Sequence, residues 1–399
     1  MKYRLSLTLV ILILFLSGCA GKREINDLAL VMAVGIDKVE DKNEFEVTVE
    51  VARPADSRGQ TGAPAGNTGD PIWSASATGK TLFEAIRNLA NFSTRRVFWA
   101  HNFIVVVNED IAREGLADII DFFTRNPELR MRTWIAITPD KAKDVVSTMT
   151  GLEVIPGEAL DKLYRYTKIS STSPRTELLD LKAAYLSETT QPVLSRLKLI
   201  ERGVSNKKQG QAGAIKQVAL EGAGIFKDDK LIGILAPDET RAMLPFIEEV
   251  DSGVIVLPCE NEPDRFITAE LRNQSLKVTP EYKENKPSFK VNYTIARVVI
   301  VEAGCPFSIK NKQQVRQLEE KLEDKVKTDI EKMLTKAQKE YQADFLELGQ
   351  RFNNRFPAEW KGIKKDWDST FANVSIDVNV NAEIKSGVLL FKPTRSGKN

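Results

Sequence analysis

Between residues 44 and 51 apolar and polar side chains alternate, with Phe45, Val47, Val49 and Val51 on one face and Glu44, Glu46, Thr48 and Glu50 on the other. A period of two predicts a strand with one face buried and one in water. Residues 31–36 before it are small or β-branched and predict a buried strand ending near Asp37, joined to the next by a polar turn over 38–43. Residues 53–71 are rich in Gly, Ala, Pro, Ser and Thr and read as a surface loop. Thr81 followed by Glu84 makes a capping box for a helix to about Phe92, with Leu82, Ala85, Ile86 and Leu89 as its inward stripe. A strand over 97–107, a helix over 111–124 and a strand over 131–138 follow. Pro139 then takes the first position of a short helix to Met149, capped by Thr138. Strands alternating with helices predict an α/β unit with helices packed on a sheet.

Helices are expected over 157–166 and 177–186, with a breaker at 170–174, and 191–200 is extended. The polar, glycine-rich stretch 202–213 marks the main boundary. Two apolar runs, 218–226 and 230–235, joined by Lys227-Asp228-Asp229, predict a hairpin, and a helix begins at Asp238. Four strand candidates follow in series, over 254–257, 266–272, 276–282 and 289–301, with a turn at Asn285-Lys286-Pro287. From 310 to 348 apolar residues recur at three- and four-residue steps, from Val315 and Leu318 to Phe345 and Leu348, which predicts one long amphipathic helix across the last sheet. A second helix near 357–367 and a strand over 374–384 close the pattern. The expected fold is α/β and α+β in three domains, each a mixed or antiparallel sheet packed with helices. An N-terminal domain spans 19–200, a small middle unit of hairpin plus helix 201–250, an α+β domain with the long helix 251–392, and a polar tail 393–399.

The first residues follow a different pattern. Lys2 and Arg4 precede an apolar run over 5–16, shorter than the roughly 20 residues a membrane-spanning helix needs. It ends in Leu16-Ser17-Gly18-Cys19, a lipobox. Small residues give a peptidase access, and the thiol of Cys19 is the one nucleophile there fit to be alkylated. Residues 1–18 therefore read as a signal peptide, and Cys19 as the lipid-bearing first residue of an exported, membrane-tethered body. Two acyl chains hold a protein where one lets it leave.

With 42% hydrophobic and 28% charged residues the chain is globular, and a formal charge of +2 offers no basic face for a nucleic acid. Beyond Cys19 there are two cysteines, Cys259 and Cys305, too few for a stapled framework. They are expected as unpaired, partly buried thiols. The single histidine, His101, sits in an apolar run with no nucleophile elbow in the chain, and is expected to be a hydrogen-bonding core or interface residue. There is no zinc spacing, phosphate loop or calcium loop. No cofactor and no catalytic role are expected.

The whole chain resembles the Ger(x)C family, the C subunits of bacterial spore germinant receptors. The resemblance rests on the lipobox and on Arg23-Glu24-Ile25-Asn26-Asp27-Leu28-Ala29 leading into Val34-Gly35-Ile36-Asp37. It extends through Ala100-His101-Asn102, Ala112-Arg113-Glu114-Gly115-Leu116 and Asp121-Phe122-Phe123-Thr124-Arg125-Asn126-Pro127-Glu128. In the second half it rests on Gly222-Ala223-Gly224-Ile225-Phe226, Leu231-Ile232-Gly233 and Glu239-Thr240-Arg241. Ala20-Gly21-Lys22 departs from the Trp and Asp that members often carry after the lipid cysteine. The resemblance implies a non-catalytic lipoprotein on the outer face of the spore inner membrane, working with an A and a B subunit in nutrient sensing. Glu24, Asn26 and Asp27 lie close to the anchor and serve by position as partner contacts, or as caps and turn formers, the role their residue types favour. The competing reading is a solute-binding lipoprotein of a transporter, which requires two similar lobes around one cleft.

Overall fold

The computed structural model describes residues 27–40, 42–52, 72–202, 215–260, 262–305 and 311–385. The signal peptide, Cys19, Glu24, Asn26, the loop over 53–71, most of the polar stretch 202–213 and the tail lie outside these residues. No described helix is long and apolar enough to cross a membrane.

The described chain is mixed α+β and holds two sheets. The larger has nine strands. Within it β1 (Leu28–Lys38) pairs antiparallel with β2 (Phe45–Ala52), and β2 pairs antiparallel with the edge strand β3 (Ile72–Gly79). After α1 (Leu82–Leu89) the chain returns through the short β4 (Arg96–Phe98), parallel to the start of β1, and β5 (Ile104–Asn108), parallel to its end. The continuous strand expected over 97–107 is thus broken by a turn at 99–101. Helices α2 (Glu109–Glu114) and α3 (Ala117–Arg125) lead to β6 (Trp134–Thr138), parallel to β5. Helices α4 (Ala142–Ser147), α5 (Pro156–Arg165) and α6 (Leu178–Tyr185) then lead to β7 (Val193–Glu201), parallel to β6.

Both faces of this sheet are covered. Val31, Val34, Val47, Val49, Val105 and Val107 pack with α1, α2, α3 and α6 on one side. Ala33, Ile104, Val106 and Ala136 pack with α4 and α5 on the other. Thr48 and Glu50, expected on a solvent face of β2, are therefore buried, since helices lie where the pattern predicted water.

The hairpin β8 (Lys216–Lys227) and β9 (Lys230–Leu235) forms as expected but has no sheet of its own. β8 pairs with β7 along most of its length and extends the nine-stranded sheet. The following helix α7 (Pro237–Ile247) buries Met243, Leu244 and Phe246 in the core of the second sheet. The middle unit is thereby shared between its neighbours.

The second sheet orders β10 (Ser252–Pro258), β11 (Phe266–Lys283), β12 (Lys286–Ala303) and β13 (Ser375–Ile384). β11 is one strand where two were expected, and its turn into β12 is Glu284-Asn285, both at positive φ, the backbone a tight hairpin demands. β13 lies parallel to β12 and is reached by a helical crossover. That crossover opens with α8 (Lys312–Thr335), capped by Asn311, which buries Leu318, Leu322, Val326, Ile330 and Met333 against the sheet. A π-helical turn, Lys336–Tyr341, and left-handed Gln342 end it short of the expected 348. Helices α9 (Leu348–Arg355), α10 (Pro357–Ile363) and α11 (Trp367–Phe371) complete the layer.

Cys259 and Cys305 form a disulfide, contrary to the expectation of free thiols. Cys259 follows β10 and Cys305 follows β12. Phe266 and Ile267 at the start of β11 pair with Pro258, Leu257 and Ala303, so the sheet carries the two cysteines to adjacent ends.

Candidate functional site

An open groove of about 1120 Å³ lies between α1 and α3. Its first wall is α1, capped by Thr81 as read from the sequence, with Glu84 reaching back one residue further than the expected box, to Lys80. Thr81 Oγ1 accepts from the Glu84 amide at 3.1 Å, and Glu84 Oε2 accepts from the Lys80 amide at 2.8 Å. The stripe Leu82, Ala85, Leu89 turns inward, which leaves Phe83 and Arg87 on the outer side, the guanidinium 4.9 Å from the ring centre. Phe83 is 54% exposed.

The opposite wall is α3, where Asp118, Asp121, Phe122 and Arg125 face the groove while Ile119, Ile120 and Phe123 are buried. Arg125 Nε lies 2.7 Å from both Asp121 carboxylate oxygens. The turn after α3 is held by Asn126, whose Oδ1 accepts from the Glu128 amide at 3.0 Å, and Glu128 in turn pairs with Arg96. Trp99, Val97 and Ile86 supply the apolar floor. Asp27, the first described residue, stands exposed at the edge.

The sequence-based candidates divide accordingly. Asp27 lines the groove, while Cys19, Glu24 and Asn26 lie outside the described residues. Asp121, Phe122 and Arg125 to Glu128, from one motif of the family resemblance, line it as well. Arg95, Arg96 and Phe83 were not singled out. Their cue was the pairing of exposed aromatic and basic residues about a capped helix. His101 is exposed in the turn before β5, its ring 6.3 Å from that of Phe98, not in the middle of a strand. Among the described residues no three His, Cys, Asp or Glu side chains cluster as a metal site.

Other motifs of the resemblance prove to be structural. In Val34-Gly35-Ile36-Asp37, a Cβ on Gly35 would stand 2.9 Å from the carbonyl carbon of Ala142, so only glycine lets α4 approach. Asp37 then accepts from the amides of Ala142 and Lys143 at 2.7 and 2.9 Å and caps α4 across the sheet. Burial raises the pKa of its carboxyl, an effect the two amide bonds oppose. Gly233 faces the ring of Tyr341, whose hydroxyl donates to the Ile234 carbonyl at 3.1 Å.

Comparison with known proteins follows the same division of the chain. The family described as spore germination protein N-terminal domain matches residues 21–199, and that described as spore germination B3/GerAC like, C-terminal, matches residues 221–387. The putative spore germination protein YfkR of Bacillus subtilis (strain 168) is 26% identical over 397 residues, 98% of either chain. Spore germination protein KC of the same organism is 25% identical over 99% of this chain and 98% of its own. Spore germination protein A3 of that organism is 26% identical over 96% of this chain and 98% of its own. A solved structure, the crystal structure of the GerBC protein, superposes with a TM-score of 0.53 at 19% identity over 88% of this chain and 97% of that one. Two consecutive family matches, relatives aligned nearly end to end and a shared fold agree: the chain belongs to the Ger(x)C family of spore germination proteins, that of the germinant receptor C subunits.

Proposed function

We propose that this chain is the lipid-anchored C subunit of a nutrient germinant receptor, held through a diacylglyceryl group on Cys19 to the outer face of the spore inner membrane. It acts there with an A and a B subunit as a non-catalytic component of receptor assembly and signalling. The observation that carries this reading is the match of both halves, in order, over nearly the whole length of proteins named for spore germination. Two features support it. The disulfide Cys259–Cys305 suits an exported protein, because cytosolic thiols are kept reduced. The groove is lined by Asp27, eight residues after Cys19 in sequence, and in this reading its residues are candidate contacts for membrane-bound partners.

The solute-binding reading loses its footing. It requires two similar lobes, whereas one sheet has nine mixed strands and the other four, three of them antiparallel to their neighbours.

The test is genetic and biochemical. Spores carrying Cys19→Ala are expected to lose the protein from the inner-membrane fraction and to respond poorly to nutrients while still germinating with agents that bypass receptors. Normal nutrient germination of a deletion strain, with the A and B subunits present at ordinary levels, would refute the assembly role.

A further inference from the structure

We propose that the groove between α1 and α3 receives an amphipathic helix of a protein partner, with carboxylates along one flank of its apolar stripe and cations along the other. The proposal rests on the receptor-subunit reading above and names the chemistry a partner brings to this groove.

The charges of the groove balance, but they are sorted by wall. Lys80, Arg87, Arg95 and Arg96 line it from the first wall, residues 80–96, where the single carboxylate, Glu84, is turned to the Lys80 amide. From the second wall, residues 118–128, it is lined by Asp118, Asp121 and Glu128 against one cation, Arg125. Arg96 reaches Glu128 across the groove, and Asp121 is held by Arg125 within its own wall. Among the described residues Lys80, Arg95 and Asp118 form no ion pair, and all three are exposed. A ligand of one sign is attracted by one wall and repelled by the other. An occupant with opposite charges on its two flanks is matched by both.

Between the walls lies an apolar floor of Ile86, Val97 and Trp99, and Phe83 and Phe122 add a ring from each wall. Phe83 is the more open of the two. An apolar floor between charged rims accepts the apolar face of a helix, whose own amides and carbonyls are already bonded. An extended strand needs a row of free backbone groups beside it, and the backbones of α1 and α3 are bonded within each helix. These helices have eight and nine residues. Their length, about 12 to 14 Å, matches roughly two to three turns of the occupant.

The test uses spores in which the full chain carries photoreactive benzoylphenylalanine in place of Ala90, an exposed lining residue. Leu152, almost fully exposed between α4 and α5 on the other face of the sheet, gives the reference position. After irradiation and peptide mass mapping, the Ala90 probe is expected on one segment of a partner subunit. In that segment apolar residues recur at three- and four-residue steps between an acidic and a basic flank. Lys80→Glu with Arg95→Glu makes both walls acidic and is expected to lower the yield about ten-fold, while Lys80→Arg with Arg95→Lys retains it. Lysines in place of the acidic flank of the mapped segment are expected to restore the crosslink to the reversed chain.

A crosslink to lipid, to a second copy of this chain or to a segment without that pattern overturns the proposal. So does a yield that charge reversal leaves unchanged, or a loss that the altered partner does not restore. A silent Ala90 probe in a chain that co-isolates with the A and B subunits overturns it as well and leaves the receptor reading standing. A chain that co-isolates with neither subunit refutes that reading, and the proposal falls with it.

Discussion

Among the described residues three helix N-termini receive a carboxyl group from a distant segment, and a fourth receives one from the turn just before it. Asp37 caps α4, Asp229 accepts from the Ala117 amide of α3, Glu50 accepts from the Gly157 amide of α5, and Asp344 accepts from the Leu348 and Gly349 amides of α9. Each satisfies amides that the helix cannot bond itself. Asp37→Ala is expected to lower stability by about 1–2 kcal/mol, measured by urea unfolding. Glu50 is the extreme case, fully buried with one carboxyl oxygen unpartnered, and burial raises its pKa from 4.5 to about 8. The folded chain keeps a proton there that the unfolded chain releases above pH 4.5, so this contribution is complete below pH 4.5 and is lost as pH rises through about 8. Glu50→Gln, which cannot ionise, should remove that part of the slope. If wild type and variant lose stability equally on raising the pH across that range, the buried acid is not responsible.

At the scale of elements, local patterns were read well where the signal was local. The Thr81 cap, the hairpin around Asp228 and the stripe on α8 all stand. The readings that failed depended on remote contacts. Thr138 and Pro139 look like a helix start, but α4 begins at Ala142 because its cap comes from Asp37. The stripe on α8 runs on towards Leu348, yet the helix breaks at the π turn, which turns Tyr341 onto β9. The cysteines were expected as free thiols from their small number, and only the register of β10, β11 and β12 joins them across 46 residues. Cys259→Ser together with Cys305→Ser is expected to cost about 2–4 kcal/mol, and reducing agent should lower the melting temperature of wild type but not of the double variant.

In the whole molecule the two sheets meet in one apolar cluster, beside the two that cover the faces of the larger sheet. Val193, Ala223, Ile225 and Leu235 from the larger sheet pack in the same cluster as Phe289, Val291 and Ile295 from the smaller. The family junction between residues 199 and 221 therefore falls in sequence where β7 and β8 pair in space. Unfolding is expected as a single transition. Gly233→Val, which drives a side chain into the Tyr341 ring, should raise hydrogen exchange in both sheets together. Faster exchange confined to one sheet would show the halves to be independent.

The residues alone determined the class of elements, the apolar stripes, the anchor motif and the family resemblance, because each is written in spacing over a few residues. Tertiary structure alone decided the rest: that the middle hairpin joins the first sheet while its helix joins the second core, that Glu50 is buried, that Cys259 meets Cys305, and that Asp27 opens onto a groove with Arg95 and Phe83. Those outcomes depend on which surfaces meet, and a pairing between distant segments leaves no period in either one.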